Sequence, residues 1–185
     1  PADQLHLLTL LGTLDLSFNE IKTFEKDTRF PPDLRDLTLT GNLLGEDPDA
    51  NWLNVIDSNS DCRSSLQKLL VQMNHICGHF PLPSSLSALT VLDVSVNHIS
   101  QLDCGPSWTP QLNSLRMLVL SYNGLTELPD EIGLLLKLRE LNIENNKLEA
   151  LPSGLCKCTS LVSLTAQSNQ ISNLPPEFST LKSLE

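Results

Sequence analysis

With 185 residues the chain has room for one domain or two small ones, which excludes a large multidomain enzyme. Its 12 Lys and Arg against 22 Asp and Glu leave a formal net charge of −10, and such a surface repels phosphate, so nucleic acid and anionic membranes are not expected as partners. Leu fills 40 positions, roughly twice its ordinary share, yet runs such as Leu134-Leu135-Leu136 fall far short of the ~20 apolar residues of a spanning helix. No transmembrane segment is expected.

The leucines follow a repeat. The pattern LxxLxLxxNxL, with Ile, Val or Ala tolerated at apolar places, opens at Leu11, Leu34, Leu66, Leu89, Leu115, Leu138 and Leu161. It predicts one domain of about seven repeats, 11–33, 34–65, 66–88, 89–114, 115–137, 138–160 and 161–183, with an eighth opening at Leu184. Both ends read as truncated, since no polar capping unit precedes Leu11 and the eighth copy stops at Glu185. Each LxxLxLxx alternates inward apolar and outward polar residues as a short strand does. Copies stack into a parallel sheet, about 4.8 Å apart, because one copy cannot bury its own leucines. The Asn that follows turns the chain away, its amide able to donate to and accept from backbone groups at the bend. Asn19, Asn42, Asn74, Asn97, Asn123, Asn146 and Asn169 are expected to form a buried structural ladder.

In chain order, the first irregularity lies between Asn42 and Leu66. Residues 45–61 carry Glu46, Asp47, Asp49, Asp57 and Asp61 around Trp52, Leu53, Val55 and Ile56, which predicts a one- or two-turn helix starting near Asp49 or Asn51 and pinning Trp52 or Ile56 onto the convex side. The second, Cys104 to Pro110, is bounded by prolines and predicts a loop around Trp108. Both Trp residues are expected to seal irregular returns, a binding anchor being the alternative. The last three repeats continue as LPxxIxxLxxL, with Pro129, Pro152 and Pro175 opening returns of three-residue apolar spacing, the signature of a short 3₁₀ or helical turn. Residues 1–61 hold 12 acids and 4 bases, a net of −8, which is either a solubilising surface or a docking patch for a basic partner.

The columns of outward residues are not uniform. Repeats three to five are expected to expose Leu70, Met73, Val91, Val96, Met117, Val119 and Tyr122, with Lys68, Asp93, Arg116, Arg139, Glu140 and Glu144 around them. An apolar centre with a charged rim is the composition of a specific protein interface. Leu70, Met73, Val91, Val96, Arg116, Met117, Val119, Tyr122, Arg139, Glu140 and Glu144 form the expected partner-binding surface, Tyr122 and the Arg pair its best anchors. The competing reading is that Val and Leu there serve strand propensity, or that the insertion after Asn42 covers them.

Catalytic chemistry has little support. His75-Ile76-Cys77-Gly78-His79 and His98 bring imidazoles and a thiol to one edge, but without the paired CxxC or HxxxH spacing of a zinc site, so no metal is expected. Cys158 takes the place of Leu135 in the repeat and is expected to be a buried hydrophobe, which argues against a redox pair with Cys156. No GxSxG, P-loop or HExxH is present, and no cofactor is expected. Five cysteines, an odd count, and no N-x-S/T sequon predict an intracellular, cytoplasmic setting.

On these residues the chain resembles the leucine-rich repeat family over residues 11–185. Its 23-residue LPxxI units are similar to the intracellular Ras-group repeats of Scribble, Erbin and Densin scaffolds and of Roco kinases. The resemblance implies an α/β fold, a right-handed solenoid or horseshoe with a parallel concave sheet and short helical or 3₁₀ convex returns. It also implies a non-catalytic domain that binds protein on the concave face, with a scaffold or signalling role; the alternative it offers is a regulatory segment docking on the GTPase and kinase domains of its own parent chain.

Overall fold

Leucines at a 23-residue period cannot be hidden within one copy, and the computed structural model shows how they are hidden between copies. It describes residues 2–47, 52–83, 85–103 and 112–185. A 3₁₀ turn, Ala2–Leu7, precedes seven parallel strands that form one sheet: β1 (Thr13–Asp15), β2 (Asp36–Thr38), β3 (Lys68–Leu70), β5 (Val91–Asp93), β7 (Met117–Val119), β8 (Glu140–Asn142) and β9 (Ser163–Thr165). Between them lie α1 (Trp52–Asp57), β4 (Cys77–Pro81) and β6 (His98–Asp103), the latter two pairing as a separate parallel sheet.

The register is constant. Leu14, Leu37, Leu69, Leu92, Leu118, Leu141 and Leu164 are successive Cα partners, each flanked by the two outward residues of its strand. The middle five are essentially solvent-free, whereas Leu14 and Leu164 on the end rungs are half-buried because each lacks a neighbour on one side. Full burial of one such leucine is worth about 1.5–3 kcal/mol, and only stacking supplies it.

The asparagines hold the rungs in this register. Asn97 donates from Nδ2 to the carbonyls of Val94 (3.0 Å) and Ser95 (3.1 Å) on its own rung and to Val71 (3.2 Å) on the rung before, and its Oδ1 accepts from the Ile76 N–H at 3.1 Å. Asn42, Asn74, Asn123, Asn146 and Asn169 repeat this set, each reaching back to the preceding rung. Burial is not uniform along the ladder, contrary to the sequence expectation: Asn42, Asn74, Asn97 and Asn146 are buried, Asn123 and Asn169 partly so, and Asn19 is exposed. Asn19 bonds only within its own rung, to Leu16 and Ser17, since no earlier rung covers it.

The convex side varies. In the last repeats, Pro129, Pro152 and Pro175 cap 3₁₀ turns at Asp130–Leu134, Ser153–Lys157 and Pro176–Thr180. In the third and fourth repeats the return begins extended instead, as β4 and β6, with Ile76, Phe80, Ile99 and Leu102 buried in the core. The return of the second repeat is α1, and Trp52, Leu53 and Ile56 are buried in the core, so Trp52 seals an irregular return and is no exposed anchor. Asn59 Nδ2 and Asp61 tie the end of this segment to the first return, through the Thr28 carbonyl (3.0 Å) and a two-toothed pair with Arg29. Trp108 and the Cys104–Pro110 insertion lie outside the described residues, as do Asp49 and Asn51.

Two outcomes follow. Asn97→Ala strands the buried Ile76 N–H and is expected to cost about 2–3 kcal/mol in chemical denaturation, whereas Asn19→Ala is expected to stay within about 0.5 kcal/mol. A Cβ on Gly154 would lie 2.0 Å from the Asp130 carbonyl oxygen, and one on Gly133 would lie 2.2 Å from that of Gly154. These returns touch backbone to backbone, so Gly154→Ala is expected to lower stability by about 1–3 kcal/mol, measured the same way.

Candidate functional site

The outward residues line up in columns along the sheet. At the first strand position the order is Thr13, Asp36, Lys68, Val91, Met117, Glu140, Ser163, and at the third it is Asp15, Thr38, Leu70, Asp93, Val119, Asn142, Thr165. Of the seven apolar residues expected to be exposed, Met73, Val96 and Tyr122 are, at 49%, 47% and 53%. Leu70, Val91, Met117 and Val119 are half-buried, because neighbouring rungs shield the flanks of a strand side chain. Arg116, Arg139, Lys68 and Glu140 are exposed; Asp93 and Glu144 are half-buried. Val119, Met117 and Glu140 line a shallow hollow that runs on to Ser163 and Thr165.

Met73, Val96 and Tyr122 share a backbone feature that sequence reasoning missed. The residue before each ladder Asn has positive φ: Phe18 54°, Gly41 66°, Met73 57°, Val96 53°, Tyr122 54°, Asn145 52° and Ser168 55°. This left-handed region costs an L-residue roughly 1–2 kcal/mol and is rarest for β-branched side chains such as Val96. The Asn amide imposes it, since one Nδ2 can meet the carbonyls two and three residues back only if the intervening residue turns left-handed. The turn is locked from the far side too. The N–H groups of Phe18, Met73, Val96, Tyr122 and Asn145 each donate to the next rung, to Thr40, Ser95, Ser121, Glu144 and Gln167 at 2.8–3.1 Å. Asp15 and Asp93 brace the approach by accepting from the N–H and hydroxyl of Ser17 and Ser95, which holds the Asp15 carboxyl below its ordinary pKa.

Phe18, 73% exposed, belongs to this column and extends the ridge to the first rung, its ring lying where a Gly41 side chain would be. Position in the repeat was a signal for it; the φ values were not legible. Beside the ridge, two buried polar atoms on neighbouring rungs, Thr40 Oγ1 and Gln72 Oε1, lack hydrogen-bond partners.

The histidines stand apart from this face. His75 and His98 have ring centroids 6.5 Å apart, and Cys77 pairs with His98 in the β4–β6 register. Among the described residues no three His, Cys, Asp or Glu side chains converge as a metal would need. Cys62 and Cys158 are buried, which pushes both thiols up to about 11, and Cys158 donates to the Ile132 carbonyl at 3.4 Å.

Seven strands in constant register with an asparagine at each turn decide the family, and a family model described as a leucine-rich repeat region matches residues 69–185. The chain belongs to the leucine-rich repeat family. Among solved structures, the Leptospira interrogans LRR protein LIC12759 is 30% identical with a TM-score of 0.66, over 97% of this chain and 49% of its own. The plant peptide hormone receptor RGFR1, solved in complex with RGF2, is 24% identical with a TM-score of 0.58, over 85% of this chain and 25% of its own, a likeness of fold. The chain therefore spans about half the length of the first and about a quarter of the second. Leucine-rich repeat domains are generally non-catalytic protein-interaction scaffolds. No helix among the described residues is long and apolar enough to cross a membrane.

Thiol reactivity follows from burial. In a Cys104→Ser background, the exposed Cys77 is expected to react with a disulfide reagent in the native protein at pH 8, while Cys62, Cys156 and Cys158 react only after denaturation. Absorbance titration counts them.

Proposed function

We propose that this leucine-rich repeat domain binds a protein partner on the concave face of repeats three to six and along the ridge of left-handed residues, without catalysis of its own. The observation that carries the reading is the identity of the side chains held at positive φ. Where only the turn matters, glycine or asparagine suits the position, and Gly41 and Asn145 are such residues. Phe18, Met73, Val96 and Tyr122 instead bear the backbone cost and keep large apolar groups about half or more in solvent. Strain retained at exposed apolar positions fits recognition better than folding.

The expected interface supplies the rest. Met117, Val119, Val91 and Leu70 form a half-buried apolar floor beside the ridge; Arg116, Arg139, Glu140 and Glu144 lie toward its C-terminal end. RGFR1, whose structure was solved with RGF2, is a protein of the same fold seen with a bound ligand. The setting proposed is intracellular, with a scaffold or signalling role as in the similar Ras-group repeats. The thiols of Cys62, Cys156 and Cys158 packed among core side chains suit a reducing compartment.

The ridge separates binding from stability. Val96→Asn with Tyr122→Asn relieves left-handed strain, so the melting temperature is expected to hold or rise by a few degrees, about 1 kcal/mol. Affinity capture by the same double variant is expected to lose the proteins that the wild-type chain retains, at least tenfold in yield. Retention of an unchanged set of proteins by the variant would remove this face as the site.

A further inference from the structure

The bases of this acidic chain are not spread evenly over the rungs. Arg35, Arg116 and Arg139 occupy the position just before a strand, and Lys68 the first position within one; Asp36 and Glu140 are the acids in the same two columns. Four bases against two acids give these two columns a positive balance in a chain of net −10. Arg116 and Arg139 are on adjacent rungs, since the Arg139 N–H donates to the Arg116 carbonyl at 2.8 Å. Both side chains are exposed. Among the described residues neither guanidinium is within ion-pair distance of a carboxylate, the ion pairs being Lys22–Glu46 and Arg29–Asp61.

Like charges on directly opposed rungs repel and favour unfolding slightly. Glu140 follows Arg139 in sequence but makes no ion pair with either arginine; Glu144 accepts from Asn145 Nδ2 at 3.0 Å, and Asp93 is engaged by Ser95. The carboxylates nearest the pair in the repeat are thus engaged elsewhere or left in solvent. Met117 follows Arg116 on the same rung, and Val119 and Tyr122 lie three and six residues from Arg116 along it, so an extended segment running along the rung would pass the arginines first and these apolar groups next.

Resting on the concave-face reading, we infer that the partner presents an extended segment in which an acidic side chain sits next to apolar ones, its carboxylate bridging Arg116 and Arg139 while the apolar groups cover Met117, Val119 and Tyr122. Guanidinium is the cation suited to this, since its planar fork accepts a carboxylate on two parallel hydrogen bonds and is weakly hydrated. The like-charge pair then becomes favourable only when the partner arrives, which ties selectivity to the presence of the acid.

The test uses the 185-residue chain as bait for a displayed library of random twelve-residue peptides, followed by affinity measurement on the selected peptides. The inference expects enrichment of Asp or Glu adjacent to large apolar residues, at least tenfold weaker binding to Arg116→Gln with Arg139→Gln, and binding that weakens as salt rises for the wild type but little for that variant. The double variant is expected to melt at or above the wild-type temperature at low ionic strength. A fall in melting temperature would assign the arginines to the fold and overturn the inference. So would enrichment of basic or purely apolar peptides, or of none. Selected peptides that lose binding with Met117→Ser and Tyr122→Ala but ignore the arginine changes refute the acidic partner alone; peptides indifferent to both pairs refute the concave-face reading as well.

Discussion

A single carboxamide, repeated rung after rung, is the contact on which the structure depends. Each ladder asparagine after Asn19 closes its own turn through two carbonyls and reaches to the rung before it with both ends of the amide, as Asn42 does. The leucines supply the favourable free energy of stacking, but apolar burial has no direction and would tolerate slippage. The amide does not tolerate it, because a shift of one residue leaves a buried N–H and several carbonyls unpaired. Register, and with it the alignment of every outward column, follows from those bonds.

The same amide produces the surface proposed for recognition. Drawing successive carbonyls onto one nitrogen forces the residue before the asparagine into the left-handed region, whatever its side chain. The fold thereby offers one strained, outward-aimed position per rung. What occupies it distinguishes rungs: apolar groups at Phe18, Met73, Val96 and Tyr122, then Asn145 and Ser168 toward the C-terminal end. Stability and recognition pull in opposite directions at these places, since the residues that would relax the backbone would also remove the contact surface.

Periodicity made much of the fold legible in the sequence. A constant spacing places Leu37, Leu69 and Leu92 in one column and Cys158 in the slot of Leu135, and proline at Pro129 and Pro152 announces a 3₁₀ return. Other features lack a local signal. Nothing in the residue type of Val96 tells of positive φ, because the cause is a hydrogen bond made by its neighbour. The β4–β6 pair depends on two returns meeting across 20 or so residues, and Gly78 and Pro81 within β4 argue locally against a strand. Partial burial of Leu70, Val91, Met117 and Val119 is likewise collective, set by how much of each flank the adjacent rungs cover. The exposure of Asn19 is an end effect that a position-by-position reading treats as identical to its buried counterparts.

Because every ladder amide refers only to its predecessor, the interior has translational symmetry. A duplication or loss of one complete unit would remake each kind of bond with a new partner and leave the packing of the remainder intact. A fractional change would put polar groups into the apolar column. Lineages carrying such a domain are therefore free to alter their reach in whole steps through unequal exchange, while fractional length change is confined to the outer bends, as in the segment holding Trp52–Asp57.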